Sequence, residues 1–286
     1  MKRYYTLWAL TCILGGLLGG SCRKEAQPKG LGTSPAGTLS RYDLVSSDYD
    51  VTSVATFTAS YDKDGKMVNL FQKQGQALSS FALHYEGDKL TGSVANDKSI
   101  QSVIYDAGGK PWRVEYANLT DTGKIVFNYD AAGKLMSVVD SIKVPLKLSL
   151  IYRYSFTYDA GGNNVVKVTK ERLDLKGRPT LMQYTVYTFD DKTNPFTTFP
   201  YLRYSIVLPG EAAALVNRNN ILSSQVVGTV LDPSSPGSVL RYDTITNYKT
   251  TRTYEYTSKG FPSTATENFN DVQFNYSGKR IFKYAY

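Results

Sequence analysis

Between Tyr61 and Phe189 a short pattern returns every 20 to 31 residues: an aromatic residue closing an alternating run, an acidic residue, then a turn. Its fullest copy is Tyr154-Ser-Phe-Thr-Tyr158-Asp159-Ala-Gly-Gly162-Asn-Asn-Val165. Related corners stand at Tyr61-Asp62, Tyr85-Glu86, Tyr105-Asp106, Tyr129-Asp130, Phe189-Asp190, Tyr256-Thr257 and Tyr276-Ser277. Strands place alternate side chains on opposite faces. Counted back from each corner, that rule puts Phe57, Ala59 and Tyr61 on one face, and likewise Phe81, Leu83 and Tyr85. Val103 and Tyr105, then Ile125, Phe127 and Tyr129, and then Tyr152, Tyr154, Phe156 and Tyr158 make equivalent rows. Tyr187 with Phe189, Tyr254 with Tyr256, and Val272, Phe274 and Tyr276 continue the pattern. The residues between them are mostly small or polar, the mark of half-buried antiparallel strands.

After most corners come turn residues: Lys63-Asp64-Gly65, Ala107-Gly108-Gly109, Ala131-Ala132-Gly133 and Ala160-Gly161-Gly162. Glycine suits positions of positive φ, and the preceding Asp can accept hydrogen bonds from turn amides. Each unit therefore reads as a hairpin, and consecutive hairpins pair as a meander. Because sheets twist, a long meander must coil. The expected fold is all-β: an antiparallel meander of repeated hairpins forming a curved, rolled or partly closed sheet of ten to fourteen strands. Composition agrees, with 23 Tyr and 12 Phe, residues that favour strands.

The rhythm breaks after Phe189. Asp190-Asp-Lys-Thr-Asn-Pro-Phe196 leads into a Pro-rich insertion at about 195–238, with Pro200, Pro209, Pro233 and Pro236. Glu211-Ala-Ala-Ala-Leu-Val216 is its short helix candidate. Strands are expected to resume at 239–246 and 250–256.

The N-terminus has the three parts of a secretory leader. Lys2 and Arg3 begin it, Leu7 to Leu18 is apolar, and Gly19-Gly20-Ser21 precedes Cys22. The apolar run is shorter than the roughly 20 residues of a spanning helix. Small residues ending at a cysteine resemble a bacterial lipoprotein signal, which implies cleavage before Cys22 and a diacylglycerol on its thiol. The expected organisation is a signal peptide at 1–21, a lipidated flexible tether at 22–40, rich in Gly, Pro, Ser and Thr, and one β-rich domain at 41–286. With Cys12 lost and Cys22 acylated, no disulfide, thiolate metal site or cysteine nucleophile is expected in the mature chain. The absence of Asp beside Cys22 favours the outer membrane, on its periplasmic or its cell-surface side.

Two family resemblances follow from these residues. The Tyr-Asp-x-x-Gly rhythm resembles the YD repeats of Rhs-type proteins, which build spiralling sheets; Lys66, Lys110, Lys134 and Asn163 stand where those repeats usually carry Arg. The chain also resembles Bacteroidota lipoproteins with a domain of unknown function described as porin-like. Those pair Tyr-Asp-x-x-Gly-Lys-Leu units with a late Asp-x-Lys-x-Asn-Pro-Phe segment and a following Asn-Asn, here Asp190 to Phe196 and Asn219-Asn220. That likeness covers about 41–286 and implies a β-rich fold with no established activity.

Signals for chemistry are sparse. The one histidine, His84, lies on the face opposite Phe81, Leu83 and Tyr85, so it is expected to face solvent. No Gly-x-Ser-x-Gly, His-Glu-x-x-His or phosphate-binding glycine loop occurs. Asp62-Lys-Asp64-Gly65 resembles half of a calcium loop, but Lys73 stands where the bidentate Glu would be, so a turn is expected. The net charge of +8 falls to +6 without Lys2 and Arg3, and no run of five like charges occurs, so nucleic acid is not an expected partner. No cofactor, metal or catalytic residue is expected. The expected protein is non-enzymatic, a structural or binding module of the cell envelope held by its acyl anchor, with a glycan or an envelope protein as partner. Two alternatives remain open: a glycan-binding accessory lipoprotein of an outer-membrane uptake system, which needs an aromatic row open to solvent, and a loop-based glycoside hydrolase, which needs two carboxylates facing each other across a cleft. A transmembrane porin is disfavoured, since no lipid-facing band is discernible.

Overall fold

The computed structural model describes residues 38–48, 51–95, 98–118, 121–143, 150–198, 217–231, 239–272 and 275–286. The leader, Cys22 and the Glu211 to Val216 helix candidate lie outside them. Sixteen strands run in chain order: β1 Arg41–Asp48, β2 Val51–Tyr61, β3 Met67–Gln74, β4 Ala77–Glu86, β5 Lys89–Ala95, β6 Lys98–Tyr105, β7 Pro111–Asn118 and β8 Thr122–Tyr129. They continue as β9 Leu135–Lys143, β10 Leu150–Tyr158, β11 Val165–Leu173, β12 Pro179–Thr193, β13 Asn219–Leu231, β14 Val239–Tyr256, β15 Pro262–Asp271 and β16 Tyr276–Ala285. A 3-10 turn, Pro195–Thr198, follows β12.

Every strand pairs antiparallel with its sequence neighbour, and β1 pairs with β16 from Arg41↔Ala285 to Ser47↔Lys279. The meander is therefore a closed barrel, where the sequence led to a curved, rolled or partly closed sheet of ten to fourteen strands. Closure leaves no free sheet edge to template aggregation. Each corner aromatic explains part of the curvature. The ladder register shifts at Ser60/Tyr61, His84/Tyr85, Ile104/Tyr105, Asn128/Tyr129, Thr157/Tyr158, Thr188/Phe189 and Glu255/Tyr256. Such bulges bend a strand and increase its twist. Repeated at successive hairpins, they help turn a flat meander into a ring.

The corner turns share one geometry. The Asp62 amide donates to the Lys66 carbonyl, the Gly65 amide donates to the Asp62 carbonyl, and the Asp62 carboxylate accepts from the amides of Asp64 and Lys66. Asp106, Asp130 and Asp159 repeat it, the last with one extra residue. Thr257 repeats it with a hydroxyl in place of the carboxylate. The half calcium loop at Asp62 is thus such a turn, its carboxylate engaged by amides. Gly133 shows why glycine is required: φ is 79°, and a Cβ there would overlap the Lys110 ammonium.

Three sequence expectations need correction. Tyr276 does not end a strand; it begins β16, after a turn in which Asn275 has φ 47°. Val272 is exposed in that turn and so does not begin an inward row; Phe274 lies outside the described residues. The strands expected at 239–246 and 250–256 are one strand, β14. Finally, Leu39 is fully buried and the Ser40 amide donates to the Ala285 carbonyl, so the ordered wall starts before the expected tether ends at 40.

Alternation decides what the barrel contains. In β8, Ile125 and Phe127 are buried while Lys124 and Asn128 are exposed. In β10, Tyr154 and Phe156 are buried and Thr157 is exposed. The buried rows of all strands merge into one cluster that lines the inside of the barrel. Burying each such side chain stabilises the fold by about 1.5–3 kcal/mol. Small residues let the rings lie along the wall: Tyr116 packs over Gly123, its partner on β8, and Phe269 over Gly278 on β16.

Candidate functional site

Hairpins β2–β3, β4–β5, β6–β7, β8–β9, β10–β11 and β14–β15 turn at one end of the barrel, and both ends of the described chain lie there too. At this corner end the tyrosines do more than fill space. Tyr85 donates its hydroxyl to the Met67 carbonyl at 2.8 Å, Tyr105 to Leu90 at 2.8 Å, Tyr129 to Pro111 at 2.8 Å and Tyr158 to Leu135 at 2.7 Å. Tyr61 reaches Leu39, Tyr254 reaches Ile221, and Tyr286 reaches Pro262. Apart from Tyr61, which holds the segment before β1, each hydroxyl thus clamps the start of the returning strand in the hairpin before it. The lysine of that earlier turn lies over the same ring: Lys89 on Tyr105, Lys110 on Tyr129, and Lys134 on Tyr158 at 4.3 Å. The Tyr-Asp-x-x-Gly-Lys pattern is therefore a chain of couplings between neighbouring hairpins. Burial, with the charge of Asp130, pushes the Tyr158 hydroxyl up to about 12.

The repeat fails between β10 and β13, and there the corner end is closed by asparagines. Asn164 donates to the Asp159 carboxylate and to the Asn219 side chain, and its own oxygen accepts from the Asn219 amide. Asn217 Oδ1 accepts from the Val165 amide at 2.6 Å. Asn194 donates to the Asn217 carbonyl and accepts from the Phe196 amide, which fixes the 3-10 turn. Asp190 accepts from Asn220 twice and from the Tyr256 hydroxyl. That turn carries Phe196 edge-on against Tyr42 and beside Tyr284. Asn194, Phe196, Asn220, Ile221, Arg252, Tyr254 and Tyr284 then surround a cavity with room for about one water molecule.

The structure thus joins the Asp190 to Phe196 segment to Asn219-Asn220, which the sequence had noted apart. It adds Asn164 and Asn217, which the sequence had not singled out. Their signal was present in Asn163-Asn164, standing where other corners have Lys followed by an apolar residue.

Below this closure, inward charges pair within the wall. Glu267 is 1% exposed and accepts from Arg252 Nε at 2.5 Å and from Arg280 Nη1 at 2.8 Å. Burial opposes the Arg252 charge, and Glu267 more than restores it, so that guanidinium is held more firmly protonated. Across the wall, Tyr116 donates to the Asp140 carboxylate at 2.9 Å, and burial pushes the Lys170 ammonium down while Asp140 pulls it back. Glu267 is thus held by two arginines and Asp140 by a tyrosine. No cluster of three or more metal-ligating side chains occurs among the described residues. His84 is exposed on the outer face of β4, as expected. Cys22 lies outside the described residues.

No protein-family model matches the chain. No curated protein matches it either. Among solved structures, the chain is similar to a porin-like protein from Bacteroides uniformis, with a TM-score of 0.52 and 13% identity over 88% of this chain and 98% of that one. A porin-like protein from Bacteroides vulgatus aligns with a TM-score of 0.49 and 12% identity over 87% of this chain and 98% of that one. At such identity the first likeness shows the fold alone: an all-β antiparallel barrel.

Proposed function

We propose that this chain is a non-enzymatic, lipid-anchored protein of the bacterial outer membrane, and that its barrel stands in water beside the bilayer rather than across it. The observation that carries this reading is the outer face of the wall. Thr58, Lys124, Asn128, Thr157, Thr251, Thr253 and Asn268 are exposed there, in the alternate positions to the buried aromatic rows. A membrane-spanning barrel needs the reverse, an apolar band outside and a polar lumen. Charged side chains at the bilayer midplane would each cost about 2–4 kcal/mol. The likeness to a porin-like fold is compatible with this reading, because shape does not decide which face is apolar.

The anchor is Cys22, and the barrel serves as a structural or binding module. The glycan-binding alternative needed an aromatic row open to solvent, and the aromatic rows of the described residues face inward. The hydrolase alternative needed two carboxylates facing each other across a cleft; of the buried carboxylates, Glu267 is held by two arginines and Asp140 by Tyr116 within the wall.

Two measurements test the reading. Palmitate should label the wild type and not a Cys22→Ala variant; equal label in both would remove the anchor. The chain from residue 23 onward should stay monodisperse in buffer without detergent, and a requirement for detergent would overturn the water-facing wall.

A further inference from the structure

The bulges at the corners have an outward consequence. In each, one residue of the returning strand has no partner across the ladder. At Asn128/Tyr129 the pairing passes from Ser137 to Leu135 and skips Met136. At Ile104/Tyr105 it passes from Arg113 to Pro111 and skips Trp112. The same count skips Val68, Val166 and Leu222, along with Thr91 and Ser263. The skipped positions follow one another around the rim of the corner end. Trp112 is 45% exposed and Met136 41%, while Val68, Val166 and Leu222 are half-buried.

The corner end is also where the chain enters the barrel, with Leu39 and Ser40 tied to the Tyr61 hydroxyl and the Ala285 carbonyl. Only Cys22 to Gly37 separate an anchor at Cys22 from this rim. Sixteen residues with the coil statistics of a Gly-rich linker have a root-mean-square span of roughly 20–24 Å. Acylation would therefore hold this end, and not the far one, against the bilayer. A tryptophan beside lysines and an arginine suits the headgroup region, where an aromatic ring can enter while long basic side chains reach water. Lys110, Lys134 and Arg113 flank the two exposed residues, and Arg113 lies 5.2 Å from the Trp112 ring.

From this we infer that the bulge residues form an apolar collar, led by Trp112 and Met136, which rests on the surface of the bilayer that anchors the chain. The inference rests on the anchored reading for its setting. Its geometry belongs to the barrel and can be tested separately. The barrel then stands on its corner end, with the hairpin turn at Gly75 and the turn at Asp174 to Arg178 facing away from the membrane.

The chain itself supplies the probes. After the leader, Trp112 is its only tryptophan and Cys22 its only cysteine. Unacylated chain from Cys22 onward, coupled through that thiol to phosphatidylcholine vesicles carrying a maleimide lipid, is tethered whether or not the natural protein is acylated. Trp112 emission should shift to the blue and be largely quenched when the vesicles contain brominated lipid. A Trp112→Phe/Leu78→Trp variant, with its tryptophan near the far end, should stay unquenched on the same vesicles. Unchanged Trp112 emission on tethered chain, or quenching of the Leu78→Trp probe instead, would overturn the inference. Flotation of natively expressed protein with membranes reports on the anchor separately, so the two failures cannot be confused.

Discussion

The two faces of the same wall obey opposite rules. On the inner face, side chains are large, fixed and paired, down to the charges: Glu267 between Arg252 and Arg280, Asp140 with Tyr116, and the corner hydroxyls on backbone carbonyls. On the outer face, threonines, serines and lysines of adjacent strands, with Val54, Val94 and Val186 among them, are exposed with few specific partners. Stability is thus concentrated on one side of a sheet one residue thick. A change of similar size should cost several kcal/mol inside and almost nothing outside, and substitutions can be ranked on that difference.

The largest effect is expected at Glu267. Glu267→Leu leaves two guanidinium groups without their carboxylate, and breaking such a pair costs about 3–5 kcal/mol. Urea unfolding should show this loss, and an Arg252→Met/Glu267→Leu/Arg280→Met variant should recover most of it. If the single and the triple variant unfold alike, the cost lies in packing and not in charge. Gly133→Ala comes next. Positive φ opposes a Cβ there, while the Lys110 ammonium can swing aside, so thermal unfolding should report a loss of about 1 kcal/mol.

Tyr85→Phe keeps the ring and removes the bond to Met67, for an expected loss of about 0.5–1.5 kcal/mol. The same clamps predict an alkaline limit. The folded pKa of Tyr158 is raised from 10.0 to about 12. The stabilisation it contributes is complete below pH 10 and is lost as pH climbs from there through about 12. A Tyr158→Phe variant should show a smaller fall in stability over that window than the wild type; equal falls would exclude this hydroxyl. At the outer face, Thr253→Val should change stability by no more than about 0.5 kcal/mol. A large effect there would mean that the outer wall has a partner.

How much of this was legible in the sequence follows from the range of each interaction. The corners were legible because aromatic residue, Asp and Gly lie within a few residues of one another, and local chemistry dictates the turn. Apart from the row expected at Val272 to Tyr276, the inward rows followed from alternation alone, and so did the exposure of His84. Closure was not legible, because it depends on twist added at every bulge until β1 meets β16. The turn at Asp174 to Arg178 uses the same Asp-to-Gly geometry, with Gly177 at φ 77°, but it sits at the far end without an aromatic before it. β14 is one strand where two were expected, because pairing with β13 resumes on both sides of Asn247 across a register shift that skips it. The asparagine closure joins Asn164 to Asn219 and Val165 to Asn217 across more than fifty positions, so only the fold could assemble it.

The central claim is that water, not lipid, covers the outside of the wall, and thiol labelling tests it most directly. The proposed acylation of Cys22 would leave the mature chain without a free thiol, so Thr56→Cys or Thr253→Cys variants would each carry a single one within the wall. In isolated, opened membranes, a membrane-impermeant maleimide should label both as readily as a Lys176→Cys control in the far-end turn. Wall positions that stay unlabelled until detergent is added, while the control reacts, would place lipid against the strands and contradict the account.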